Sequence, residues 1–165
     1  MTPEHRLAQL ESLLAQDPAN AALLADAVQQ AVEGGLPEHA RRLLQLADPS
    51  QAVSPLHRHL DALILIAEGR FDVAANVLAS LREEVGEDPG ILFNLGYAQF
   101  GAGTPDLAAE TFSALIARED APEHALVWLL RALHHAGHPA EAVAAWNGLI
   151  SVRAGVLIWN SADYG

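Results

Sequence analysis

The sequence predicts an all-α fold, an α-solenoid of antiparallel helix pairs built from about nine helices. Three observations predict it. Gly35, Gly69, Gly103 and Gly137 follow one another at a spacing of 34 residues. Five positions after each glycine stands an alanine (Ala40, Ala74, Ala108, Ala142), and four further on a large apolar residue (Leu44, Leu78, Phe112, Trp146). Between these markers apolar residues recur at helical spacing, first running up to the glycine and then again just after it. Ladders that stay in step without an insertion mark a repeat architecture.

The elements follow in order. Residues 3–16 form an amphipathic helix that fits the second half of a repeat and covers the apolar end of the stack. Helix 20–33 follows Asp17-Pro18 and ends before Gly35, and helix 37–47 opens at Pro37. Asp48-Pro49 punctuates the gap before helix 55–67, and Gly69 separates that helix from 71–84. Helix 89–101 follows Asp88, helix 105–117 opens at Pro105, helix 123–136 follows Pro122, and helix 139–151 opens at Pro139. Glycine suits a helix C-terminus, where the chain turns left-handed, and proline suits the first helical turn. The alanine lets the second helix of a pair approach the first closely, and the large residue one turn later fills the space behind it. The expected organisation is one repeat domain over residues 1–151, the half-repeat 3–16 and then four units, followed by an apolar tail, 152–165.

This pattern resembles the tetratricopeptide repeat, whose 34-residue unit reads W-x2-L-G-x2-Y…A-x3-F…P. The third unit matches best, with Leu92, Leu95, Gly96 and Gln99, then Ala108 and Phe112. The fourth keeps Leu126, Leu129 and Leu133 but has Leu130 where the small glycine is usual. The second places Arg58 and Asp61 where large apolar residues are usual. The resemblance implies a right-handed superhelix whose concave side is lined by the first helix of each pair.

Helix 89–101 carries two stripes. Leu92, Leu95 and Gly96 face the partner helix, and the resemblance turns the neighbouring stripe, Phe93, Tyr97 and Phe100 beside Asn94, toward the groove. In register, the second unit offers His59, Leu63 and Ile66, and the fourth Val127, Arg131 and His134 beside Trp128. Apolar patches of this kind are uncommon on a soluble surface that binds nothing, and aromatics and Arg dominate binding hot spots. Core packing is the competing reading for Phe93, Tyr97 and Trp128, and Phe100 is left undecided. An asparagine at the place of Asn94 often bonds a bound peptide's backbone in the family.

Composition limits the partners. The net charge is −12, and every basic side chain is arginine. Nucleic acid and anionic membrane are therefore poor partners, since phosphate binding needs clustered Lys or Arg. The family's clamp of lysines and asparagines for a C-terminal carboxylate has no lysine to use here. The expected ligand is an apolar peptide or amphipathic helix, with basic residues where it carries charge. There is no cysteine for disulfide or thiol chemistry, and the start lacks a basic leader, so a cytoplasmic location is expected.

Signals for chemistry are weak. His134 and His138 are four apart, but Gly137 ends the helix between them, so no metal site and no cofactor is expected. The GAG run at 101–103 lacks the Lys and Ser/Thr of a phosphate loop, and no nucleophile elbow occurs, so the chain is not expected to be an enzyme. The tail carries Val156, Leu157, Ile158 and Trp159, which could cap the last helix, enter a groove or begin a further repeat. The function expected is a non-catalytic adaptor, scaffold or chaperone-like binder. Two alternatives are a self-associating structural subunit whose tail fills a groove, and a chaperone like the small acidic ones of bacterial type III secretion.

Overall fold

A computed structural model describes residues 3–148. Eight α-helices follow in order: α1 (Pro3–Gln16), α2 (Ala21–Glu33), α3 (Pro37–Leu46), α4 (Pro55–Ala67), α5 (Phe71–Val85), α6 (Pro89–Gly101), α7 (Pro105–Ile116) and α8 (Ala125–His135). A short 3-10 turn spans Pro49–Gln51, and residues 139–148 are helical as well. No strand occurs among the described residues. Each helix packs against the one before and the one after it, so the chain is a solenoid of helix pairs. The expected boundary between the domain and tail 152–165 lies outside the described residues.

The glycine ladder has a direct structural counterpart. Gly35, Gly69, Gly103 and Gly137 have φ of 69°, 75°, 79° and 84°, the left-handed region where a Cβ is costly. At each turn the same two bonds form. The Gly69 N–H donates to the carbonyl of Ile66 at 3.0 Å, and the Arg70 N–H reaches back to that of Leu65 at 2.9 Å. These pairs satisfy carbonyls that a helix C-terminus otherwise leaves bare. The second helix of each pair emerges straight from this turn, and α3, α5 and α7 start without a side-chain cap. The first helices α2, α4 and α6 are capped instead by Asn20, Ser54 and Asp88, which accept from the backbone N–H of Leu23, His57 and Ile91.

Helix ends depart slightly from the sequence reading. Asn20 stands outside α2 as its cap, and α5 runs on to Val85. The helix read from 123 begins at Ala125, because the Ala125 N–H is taken up by a turn to the Pro122 carbonyl at 2.9 Å.

The core divides into three clusters. Leu7, Leu10 and Leu14 of α1 join residues of α2 and α3 with Leu60 and Ile64 of α4. Ala62 and Leu65 of α4 join Leu78 and Leu81 of α5 and Ile91 and Leu95 of α6. Leu92 of α6 joins Phe112 and Leu115 of α7 and Leu129 and Leu133 of α8. Full burial of a ring such as Phe112, which is 0% exposed, contributes about 1.5–3 kcal/mol.

The ladder of large residues is closed at Leu44, Leu78 and Phe112, which are 6%, 0% and 0% exposed, but not at Trp146, which is 48% exposed. The expectation that the large residue fills the space behind the alanine therefore fails in the fourth unit. The position that faces Phe112 in the third unit is Gly96, and its register equivalent in the fourth is Leu130.

The polar residues of the second unit are paired rather than buried. Arg41 of α3 donates to Asp61 of α4 at 3.0 Å and, through two nitrogens, to Glu68 at 2.7 and 3.0 Å. Arg58 of α4 bonds Glu84 and Ser80 of α5. Ion pairs thus tie α4 to both neighbours at positions where the other repeats use apolar contact.

Candidate functional site

The first helices α2, α4, α6 and α8 lie side by side, and their shared wall carries the stripes singled out in the sequence. On α6, helical spacing sends Leu92, Leu95 and Gly96 inward, and all three are buried. Phe93, Asn94, Tyr97 and Phe100 lie on the adjoining face and are half-buried.

What covers them is the next repeat. The Tyr97 ring meets Trp128 edge to face at 4.7 Å between centroids, and Phe100 meets the same indole at 5.7 Å. Trp128 in turn stacks on Phe112 at 6.4 Å. Phe93 packs edge to face on His124 at 4.6 Å and on Phe112 at 5.8 Å. Arg131, itself exposed, places its guanidinium 4.9 Å over the Trp128 ring. Edge-to-face pairs of this kind contribute about 0.5–1.5 kcal/mol beyond area burial, so the strip also fastens α6 to α8. Phe100, undecided from sequence, packs on Trp128 and on His135.

The second-unit residues divide differently. Leu63 packs on the first core cluster and Ile66 on the second, both partly buried. His59 is half-buried, and its Nε2 lies 2.9 Å from Nδ2 of Asn94, a side-chain bridge from α4 to α6. Because Asn94 presents an N–H there, Nε2 acts as the acceptor, which requires the neutral ring. Burial pushes the His59 pKa below the ordinary imidazole value, and nearby Asp88 opposes part of that shift. Val127 is 53% exposed, and His134 is exposed with its ring 5.8 Å from that of His135.

The structure therefore gathers Phe93, Tyr97, Phe100, Trp128 and Arg131 into one aromatic strip and joins His59 to Asn94 beside it. Val127, beside Trp128 on α8, and His134, one turn beyond Arg131, stand outside those ring contacts. Sequence reasoning missed His124, His135, Phe71 and Phe112 as members. His124 was findable, one turn before Val127 and Trp128 on the same stripe. Phe71, 6.2 Å from Tyr97, carried no such signal because it comes from the second helix of a pair.

His138 bonds Asp106 at 3.2 Å and Glu141 at 3.3 Å, and no group of three or more metal-ligating side chains is gathered among the described residues. No described helix is long and apolar enough to cross a membrane.

Residues 60–124, spanning α4 to the start of α8, match the family model described as tetratricopeptide repeat. Over these residues the chain matches the tetratricopeptide repeat. Its fold is similar to the crystal structure of MamA, with a TM-score of 0.69 at 18% identity, covering 96% of this chain and 90% of that one. It is similar also to a tetratricopeptide repeat protein from Parabacteroides merdae, with a TM-score of 0.71 at 14% identity, covering 90% of this chain and 58% of that one. No curated protein sequence matches it significantly. At these identities the solved structures show a shared fold, and the tetratricopeptide repeat itself is a protein-interaction module.

Proposed function

We propose that the chain is a non-catalytic adaptor, scaffold or chaperone-like module of the cytoplasm. It docks an apolar peptide or amphipathic helix along the concave face of α4, α6 and α8. The observation that carries this reading is the half-covered aromatic strip of Phe93, Tyr97, Phe100 and Trp128, continued by the exposed Val127 and Arg131.

The partner's apolar side chains complete the burial that the array leaves unfinished, which is the dominant favourable term in such association. Asn94 gives one N–H to His59 and keeps its carbonyl oxygen for a peptide N–H. The net charge of −12 favours a partner that is neutral or basic.

The test is titration of a fixed panel of fluorescent amphipathic peptides, apolar-acidic and apolar-basic, against the wild type and Val127→Asp. Saturable binding of an apolar-basic peptide, weakened about tenfold or more in Val127→Asp, supports the reading. Equal binding by both proteins, or tighter binding of the acidic peptide, sinks it.

A further inference from the structure

The charge of the chain is spread unevenly over its helices. None of its 21 acidic residues falls in α6 or α8, the two helices that carry the aromatic strip. The third helix of that face, α4, contains one, Asp61, and it is bonded to Arg41 of α3 at 3.0 Å. A chain of net charge −12 therefore presents a wall whose helices offer no unengaged carboxylate.

The arginines divide in the same way. Arg6, Arg41, Arg58, Arg70, Arg82 and Arg118 each contact a carboxylate, and Arg42 bonds the ring of His39. Arg131 alone among the described arginines has no hydrogen bond or ion pair to a described residue. It is exposed, and its guanidinium rests 4.9 Å over the Trp128 ring instead. Stacking occupies a face of the group and leaves its N–H bonds for an acceptor outside the chain. Water serves them in the free protein, but a docked segment that excludes water must supply a partner.

A carboxylate meets that need best. It takes two parallel N–H bonds from one guanidinium, which a carbonyl or hydroxyl does not. A phosphate group would bring more negative charge against an acidic chain, and one arginine is not the cluster that phosphates require. The place of Arg131 in α8 says where the carboxylate stands in the partner. Phe100 of α6 packs on Trp128 before Arg131, at 5.7 Å, and on His135 after it, at 5.1 Å. Ring contacts run past Arg131 on both sides, so the carboxylate belongs within the apolar segment rather than at its end.

We infer that Arg131 determines the specificity of this face by reading one Asp or Glu side chain inside the docked segment. That side chain stands about one helical turn from the apolar residue that covers Trp128. This role rests on the docking of an apolar segment along α4, α6 and α8. The partner's overall charge answers the whole chain and stays neutral or basic, while the single carboxylate answers the wall from which acids are missing.

The test uses an apolar-basic amphipathic peptide, amidated at its C-terminus. A single Glu or Gln is placed in turn three and four residues to either side of its central leucine. Affinities are measured by fluorescence anisotropy for the wild type, Arg131→Gln and Arg131→Lys. At one position Glu is expected to bind the wild type about threefold or more tighter than Gln, an advantage that shrinks in high salt. Arg131→Gln should abolish that advantage, and Arg131→Lys should keep only part of it, because lysine offers charge without the fork. Binding with no Glu advantage at any position overturns the inference and leaves the docking reading in place. A Glu advantage that survives unchanged in Arg131→Gln belongs to another group and overturns it as well. An equal gain from a free C-terminal carboxylate on the Gln peptide, lost in Arg131→Gln, makes Arg131 a reader of chain ends and overturns it too. No binding by any peptide removes the docking reading and the role of Arg131 with it. The Glu–Gln comparison in the wild type needs no variant, so it holds whatever a substitution does to folding.

Discussion

The Phe112 ring lies directly against the backbone of Gly96. A Cβ built on Gly96 would stand 2.8 Å from Cζ of that ring and 2.9 Å from both Cε atoms. The phenyl is fully buried because the opposite helix presents no side chain there. In the second repeat the equivalent positions are Ala62 and Leu78, and in the first Val28 and Leu44, all buried. The largest residue of the three, Phe112, thus faces the smallest, Gly96, as close packing requires.

Gly96→Ala is expected to destabilise the chain by about 1–3 kcal/mol through overpacking, read by urea denaturation. Adding Phe112→Leu recreates the pair of the second repeat. The double variant is expected to be less destabilised than the sum of the two singles, and simple additivity would contradict the coupling.

Trp128 and Val127 are adjacent on α8 but separate two roles. Trp128→Ala removes contacts to Tyr97, Phe100 and Phe112, and the expected loss of stability is about 3 kcal/mol or more by thermal or chemical denaturation. Val127→Asp, at a half-open position, is expected to stay within about 0.5 kcal/mol of the wild type.

The His59–Asn94 bridge gives stability a pH dependence of known sign. The folded-state pKa of His59 lies below the unfolded imidazole value of about 6.5, so the unfolded chain binds the proton more readily. Its contribution is full above that pH and is lost as pH falls through the depressed folded value. Thermal denaturation at pH 8 and pH 5.5 checks this. The stability gap between wild type and His59→Gln should narrow or reverse at the lower pH.

Glu68 behaves in the same direction at more acid pH. Its bonds to Arg41 hold the carboxyl below its usual range, so the stabilisation is present above the unfolded carboxylate pKa and fades as pH falls through the lower folded one. Arg41→Gln is expected to cost about 1 kcal/mol at neutral pH, because both partners keep some solvent contact and water and salt screen the pair. That cost should shrink below about pH 4 and in high salt. A cost that is constant across both series would assign it to lost packing of the arginine stem.

The repeat was legible in the sequence because its markers are local. A left-handed residue is needed after each first helix, and only glycine supplies it cheaply, so Gly35, Gly69, Gly103 and Gly137 write the period into the chain. The inward stripe of α6 was legible for the same reason, since helical spacing alone groups Leu92, Leu95 and Gly96. The outer stripe was not. Whether Phe100 or Tyr97 meets solvent depends on a residue about thirty positions away on α8, and no spacing rule within one helix reports that. Trp146 shows the converse case. Its ladder position predicted burial, and it is 48% exposed.

The division of the core assigns α6 to two clusters at once, through Ile91 and Leu95 on one side and Leu92 on the other. A helix that is a wall of two compartments transmits tension between them. A ligand lying across α6 and α8 therefore raises the cost of opening either compartment. The middle and C-terminal repeats would then melt as one cooperative unit, with a single sharpened transition in place of two graded ones.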